Sequence, residues 1–152
     1  MKSLLRISIS LIVWILTIPS FGQIKLPAVI GDNMVLQQKS EVPIWGWGDP
    51  GTEIKVSGSW DNDTVKAKIS NQSAWKVKLK TPTAGGPFTV SITGSEEVIL
   101  RNVMIGEVWI CSGQSNMEWN ADLKINNAEE EVRNANHPNI RLFHVKKLGS
   151  ET

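Results

Sequence analysis

Apolar and polar residues alternate with a period of two through residues 34–101, which is the pattern of half-buried β-strands. The clearest case is the segment 74–80, in which Trp75, Val77 and Leu79 alternate with three lysines. Because successive side chains of a strand point to opposite faces, the apolar set is predicted to face a core. Further alternations lie at 54–56, 65–69 and 88–92.

Turn-forming sequences separate these segments and are rich in Gly, Pro, Asp and Asn. They lie at 49–51, 57–59, 61–63, 84–87 and 93–94. Short strands that recur every roughly 8–12 residues are typical of an antiparallel sandwich. We therefore predict an antiparallel β-sandwich domain over residues 23–101.

The pattern changes after Arg101. Residues 103–111 are nearly all apolar, as in a strand that is buried on both faces of a parallel sheet. Asn127 is predicted to cap a helix that begins at Ala128, whose acidic first turn suits the helix dipole. Residues 139–145 are predicted to form a further strand. The fold class is therefore mixed, with a β-sandwich followed by the incomplete beginning of an α/β domain over residues 102–152.

The first 22 residues have the features of a secretory signal peptide. Lys2 and Arg6 precede an apolar run at 7–18, which is short of the roughly 20 residues that span a bilayer. Cleavage is expected after Gly22, and an uncleaved anchor is the alternative. We therefore predict export to the periplasm or the extracellular space, and the lone Cys111, which has no partner for an internal disulfide, fits a bacterial protein.

Composition and charge narrow the possible functions. The 152 residues are enough for about one ordinary domain. Removing Lys2 and Arg6 from a net charge of +1 leaves about −1, so there is no electrostatic argument for nucleic acid or an anionic membrane as partner. The sequence has no cluster of His and Cys with metal-ligand spacing, so we expect neither a metal nor another cofactor.

Four tryptophans lie in or beside the predicted strands and admit two interpretations, namely core packing or an exposed sugar-binding surface. The register of Trp75 with Val77 and Leu79 favours the core. Trp60, in a turn beside Asp61, is expected to be the most exposed. The four are Trp45, Trp47, Trp60 and Trp75.

The sequence Gly113-Gln114-Ser115-Asn116 follows the predicted buried strand, at the position where open α/β sheets place their active sites. Gly113 permits a tight turn, so Ser115 can present its hydroxyl while its own N–H is free to bind an oxyanion. A Gly two residues before a Ser is also common in ordinary turns that leave a strand. Spacing alone therefore leaves a catalytic and a structural interpretation open.

The wider context carries a resemblance. Residues 106–119, GEVWICSGQSNMEW, resemble the nucleophile block of the sialate O-acetylesterase family, which belongs to the SGNH hydrolases. The segments LP at 26–27, GDNMVLQQ at 31–38 and VPIWGWG at 42–48 resemble the opening of that family. The segment NHPNIRLF at 136–143 is similar to its continuation after the nucleophile. The similarity thus extends through nearly all of the chain after the signal peptide, in the expected order.

This resemblance implies hydrolysis of acetyl esters on a sugar or sialoglycan through an acyl-enzyme, with Ser115 as the nucleophile and no cofactor. In the family, the N–H of the nucleophile forms the oxyanion hole with a Gly and an Asn from later blocks, and the base is a His from an Asp-x-x-His block. None of those later blocks can be placed in this sequence. Gln114 and Asn116 either position the substrate or shape the turn.

The two histidines do not replace the missing base. His137 and His144 have Asn134 and Arg141 three residues before them instead of Asp. General-base assistance contributes about 10²–10⁴-fold to such reactions. We therefore expect this chain by itself to be almost inactive and to be the N-terminal fragment of an esterase. Two alternatives stay open, namely a non-enzymatic carbohydrate-binding or accessory module, and a degenerate remnant without independent function.

Overall fold

The structure is a computed structural model that describes residues 22–123 and 125–145. The predicted signal peptide lies outside the described residues, except for Gly22. The described part of the chain is built mostly of strands: β1 (Val35–Gln37), β2 (Glu41–Trp47), β3 (Glu53–Gly58), β4 (Thr64–Lys68), β5 (Ala74–Lys80), β6 (Gly85–Thr93) and β7 (Glu97–Gly106). Two 3₁₀ turns (Ser115–Glu118 and Ala121–Leu123) and the helix α1 (Ala128–Asn134) follow. None of the helices in the described ranges has the length and apolarity needed to cross a membrane.

The strands form two sheets. The larger is a mixed sheet of five strands in the order β1-β7-β6-β3-β4, and the smaller pairs β2 with β5. All pairs are antiparallel except β1 with β7, in which Val35 lies opposite Met104. The prediction of strands with period-two burial is confirmed. The prediction that they are all antiparallel is wrong, because alternation within one strand contains no information on the direction of its neighbour.

One core cluster takes residues from both sheets. Trp75, Val77 and Leu79 of β5 are buried, as predicted, and the lysines between them are exposed. Full burial of an aliphatic side chain contributes about 1.5–3 kcal/mol to stability. The largest side chains that are completely buried are Ile44, Ile54, Ile92, Val56, Val90 and Val103.

Two of the four tryptophans differ from expectation. Trp60 is half-buried rather than the most exposed, because its ring packs edge-to-face on Phe88 at 5.5 Å and its indole N–H donates to the Lys80 carbonyl at 3.0 Å. The ring also lies so close to Gly58 that a Cβ at that position would collide with it. Trp47, by contrast, is 44% exposed.

The strand predicted over residues 103–111 ends early. β7 crosses the predicted domain boundary after Arg101 and ends at Gly106, with Val103 and Ile105 buried. Residues 107–111 form no strand and are exposed. The reason is that β7 lies between β1 and β6, so residues 103–106 complete the first sheet instead of beginning a new one. In sequence, a continuous apolar run looks the same whether it completes an existing sheet or begins a new one.

The later elements are also partly different. Helix α1 begins at Ala128, as predicted, but Asn127 has a left-handed backbone (φ 57°) and makes no side-chain cap. Residues 139–145 do not form the predicted strand in the described structure. A strand needs a neighbour to take its backbone hydrogen bonds, and the described residues provide none for this segment.

Candidate active site

Ser115 lies in the segment that leaves the end of β7. It is the first residue of a 3₁₀ turn, and Gln114 before it is extended (φ −96°, ψ −152°). The Met117 N–H closes the turn on the Gln114 carbonyl at 2.9 Å. Ser115 is exposed. The first N–H groups of a helical turn have no partner within it, and no hydrogen bond among the described residues uses the backbone N–H of Ser115.

The neighbouring candidates Gly113, Gln114 and Asn116 are also exposed. A Cβ on Gly113 would lie 2.5 Å from the Met117 Cγ, so the absence of a side chain at 113 lets Met117 fold back over the turn. The Asn116 carbonyl accepts the Trp119 N–H at 3.5 Å. These backbone contacts give the four residues one local turn. They support a turn-shaping role for Gly113, and they leave the side chains of Gln114 and Asn116 facing solvent.

The histidines do not complete a catalytic pair. Both His137 and His144 are exposed, as predicted, and in the described ranges neither imidazole is hydrogen-bonded to Ser115. The His137 carbonyl accepts the Ile140 N–H at 2.9 Å and so takes part in an ordinary turn. Among the described residues, no three His, Cys, Asp or Glu side chains are arranged to hold a metal ion.

A polar cluster formed by Gln37, Gln38 and Glu107, which we term the exit clamp, holds the start of the Ser115 segment. The Glu107 carboxylate accepts from Gln37 Nε2 at 2.9 Å and from Gln38 Nε2 at 2.6 Å. The amide of Gln37 also accepts the Val108 N–H at 2.9 Å, and that of Gln38 accepts the Ala84 N–H at 2.9 Å. Each glutamine therefore uses both ends of its amide, which fixes its orientation.

Hydrogen bonds from Gln37 and then Gln38 lower the pKa of Glu107 below its ordinary value of 4.5, and the nearby charge of Lys39 adds to the effect. The carboxylate is therefore ionised at neutral pH, which strengthens both hydrogen bonds. Sequence reasoning assigned no role to these residues. Gln37 ends β1, Gln38 follows it and Glu107 follows β7, so it is the parallel pairing of β1 with β7 that brings them to one edge of the sheet.

A second set of contacts connects the late part of the chain to the sheet. β7 contains an extra residue at Asn102, whose backbone is left-handed (φ 56°). The guanidinium of Arg141 donates to the Asn102 carbonyl and, at 3.0 Å, to its side-chain oxygen. The Asn102 amide donates in turn to the Asn33 side chain at 2.6 Å, and the Arg101 N–H donates to the Asp32 carboxylate at 2.7 Å. Arg141 thus anchors residues after α1 to the bulge of β7.

The comparisons with known proteins agree with the resemblance. No family model matches the chain. The chain is 33% identical to the sialate O-acetylesterases of Mus musculus and Homo sapiens, over 137 and 138 residues that represent 84% of this chain. The solved structure of a carbohydrate acetylesterase from Xanthomonas citri has a TM-score of 0.68 and 34% identity, over 76% of this chain and 26% of that one.

The matched part covers 25% of the mouse protein and 26% of the human one, so the chain spans about a quarter of the length of these relatives. At this identity the similarity, which covers most of this chain, reflects common descent. The resemblance drawn from residues 26–143 is confirmed, and the chain is related over most of its length to the sialate O-acetylesterase family.

Proposed function

We propose that this chain is the N-terminal, nucleophile-bearing part of an exported carbohydrate O-acetylesterase, and that Ser115 is the nucleophile. The main support is the similarity over 84% of the chain to proteins named sialate O-acetylesterase. The geometry at Ser115 is compatible with a nucleophile, since Ser115 is exposed and the exit clamp holds the start of its segment at the end of β7. The β-strand region then represents the sandwich, and residues after Gly106 represent the beginning of the SGNH hydrolase domain.

The proposed reaction has two steps. The Ser115 Oγ attacks the acetyl carbonyl carbon while its proton passes to a general base, and the sugar oxygen leaves as a hydroxyl after receiving a proton. Water then hydrolyses the acetyl-serine ester, which releases acetate and restores Ser115. The Ser115 N–H is available to donate to the oxyanion that forms in each step. The base is proposed to come from a later part of the same protein, which corresponds to the portion of the longer relatives that this chain does not match.

The test follows the reading frame beyond Thr152 and compares this chain with the longer protein that we propose the frame encodes. We expect acetate release from O-acetylated sialic acid or acetylated sugars by the longer protein and almost none by this chain. Ser115→Ala in the longer protein should lower kcat/KM by about 10³-fold or more, because the acyl-enzyme no longer forms.

Ser112→Ala is the matched control, since Ser112 is an exposed serine in the same segment. It should retain activity within a few-fold. A longer protein that releases no acetate, or a Ser115→Ala variant as active as Ser112→Ala, would contradict the proposal.

A further inference from the structure

The smaller sheet has an outer face that the esterase proposal does not use. Trp45 and Trp47 lie two positions apart on β2, so their side chains emerge on the same side, about 7 Å apart along the strand. Their opposite neighbours on β5 are Lys76 and Ala74, which belong to the same face. The buried residues Ile44 and Val77 lie on the other face, toward the core.

These side chains border an open groove of about 490 Å³. Its volume falls within the roughly 300–1,000 Å³ that is usual for small-molecule sites. Trp47 is 44% exposed, and Trp45 is half-buried. The groove is lined by Pro43, Trp45, Gly46, Trp47, Ala74, Trp75 and Lys76.

The charge on this face is positive. The outward positions of β5 are Lys76, Lys78 and Lys80, and the outward acidic residue of β2 is Glu41. Glu41 pairs with Lys78 at 3.3 Å. Lys76, the cross-strand neighbour of Trp45, has no carboxylate within ion-pair distance among the described residues. Among the described residues, a lysine without an ion-pair partner therefore lies at the groove, opposite the half-buried Trp45 and one same-face cross-strand pair away from the exposed Trp47.

We propose that this groove binds a sugar that carries a carboxylate. An indole ring offers a flat apolar surface to the C–H face of a pyranose, and its polar edge tolerates water. Lys76 supplies a charge-assisted hydrogen bond to the carboxylate. The choice of a sugar as ligand rests on the proposed function, which makes glycans the substrate of the protein. Binding itself involves β2 and β5 and does not require Ser115.

Of Trp47 and Trp60, it is Trp47 that presents the more exposed side chain. Trp60 was expected to be the most exposed of the four, but its indole N–H donates to the Lys80 carbonyl and its ring packs against Phe88. Trp47 has neither kind of contact among the described residues. A sugar-binding role therefore belongs to the β2–β5 face rather than to the turn at Trp60.

The test is a titration of this chain with N-acetylneuraminic acid, followed by tryptophan fluorescence, with its neutral methyl ester as the comparison ligand. We expect saturable binding of the acid and about tenfold weaker binding of the ester, because the ester cannot pair with Lys76. Lys76→Gln should reduce binding of the acid to the level of the ester. Trp47→Ala should remove binding of both.

The matched control is Trp109→Ala, since Trp109 is 82% exposed and lies in the Ser115 segment, away from the groove. It should bind the acid like the unmodified chain. Circular dichroism and thermal unfolding establish that each variant is folded. Lys76→Gln provides a second test of the groove at an exposed residue, where the substitution does not disturb the core.

Three binding results would overturn the proposal. These are the absence of saturable binding, equal binding by the unmodified chain and Trp47→Ala, or equal binding of acid and ester. A dimer that dissociates in Trp47→Ala would show that the face is a self-association surface, which also contradicts it. Acetate release that depends on Ser115 is measured separately, so failure here is distinguishable from failure of the esterase proposal.

Discussion

Residues 22–106 and residues 107–145 have similar apolar character in sequence but use it in opposite ways. The first region places its aliphatic and aromatic side chains in one core shared by two sheets. In the second region, Trp109, Ile110 and Leu142 are 82%, 92% and 95% exposed. The residues of α1 include none that is buried. In the described part of this chain, apolar residues therefore form a core where paired strands bring them together.

In the described ranges, two sets of polar contacts connect the second region to the first. The exit clamp holds its beginning, and Arg141 binds the Asn102 bulge. Both contacts lie beside the ends or the bulge of strands in the larger sheet. The segment that carries Ser115 thus runs between two fixed points, and its exposed apolar side chains are of the kind that another layer of structure would cover.

The largest expected effect contrasts a core residue with an exposed one. Ile54→Ala removes a completely buried side chain and should lower the free energy of unfolding by about 2–5 kcal/mol. Leu142→Ala, the control in the second region, should change it by less than about 0.5 kcal/mol, because the side chain is 95% exposed. Urea unfolding of the two variants measures this difference. Similar losses would show that residues 107–145 contribute to the core.

The second prediction concerns the bulge that connects the two regions. Asn102→Ala should cost about 1–2 kcal/mol, since alanine is disfavoured at the left-handed φ of 56° and also loses the oxygen that Arg141 binds. Asn102→Gly is the matched control, because glycine accepts that backbone without strain. Urea unfolding should give Asn102→Gly a higher free energy of unfolding than Asn102→Ala. The reverse order would mean that the bulge is not maintained in solution.

Limited proteolysis sharpens the comparison further. Chymotrypsin should cleave after Trp109 and Phe143, which are 82% and 55% exposed, well before it cleaves after Trp75, which is 3% exposed. Mass spectrometry of the first products identifies the sites. A fragment protected across residues 107–145 would contradict the division into a packed and an unpacked region.

The smallest effect is the pH dependence of the exit clamp. The pKa of Glu107 is lowered by the hydrogen bonds from Gln37 and Gln38, so the folded state favours the ionised form. Its contribution to stability is present above the ordinary value of 4.5 and disappears as the pH falls through the lower folded-state pKa.

The difference in unfolding midpoint between the unmodified chain and Glu107→Gln, measured from pH 7 to pH 3, reports this contribution. The unmodified chain should be the more stable at pH 7, and its advantage should shrink below about pH 4.5. A difference that is constant with pH would show that the carboxylate is not clamped.

Much of the first region was predictable from local pattern. The alternation of Trp75, Val77 and Leu79 with lysines placed β5 and its buried face correctly, because the period of a strand is a local property. The acidic first turn of α1, which is also a local signal, located the helix at Ala128, although the predicted Asn127 cap is absent. The nucleophile candidate Ser115 came from the resemblance of residues 106–119, and its catalytic role is still a prediction.

The errors have one physical origin. The extent of β7, the parallel pairing of β1, the burial of Trp60 and the missing strand at 139–145 all depend on which segments become neighbours. Gln37 and Glu107 are 70 residues apart, so no local signal indicates that they form a hydrogen bond. The sequence by itself determined the position and buried face of strands such as β5, and the resemblance to the sialate O-acetylesterases. Only the tertiary structure decided which apolar residues are buried and which polar residues meet, because both depend on pairing between distant strands.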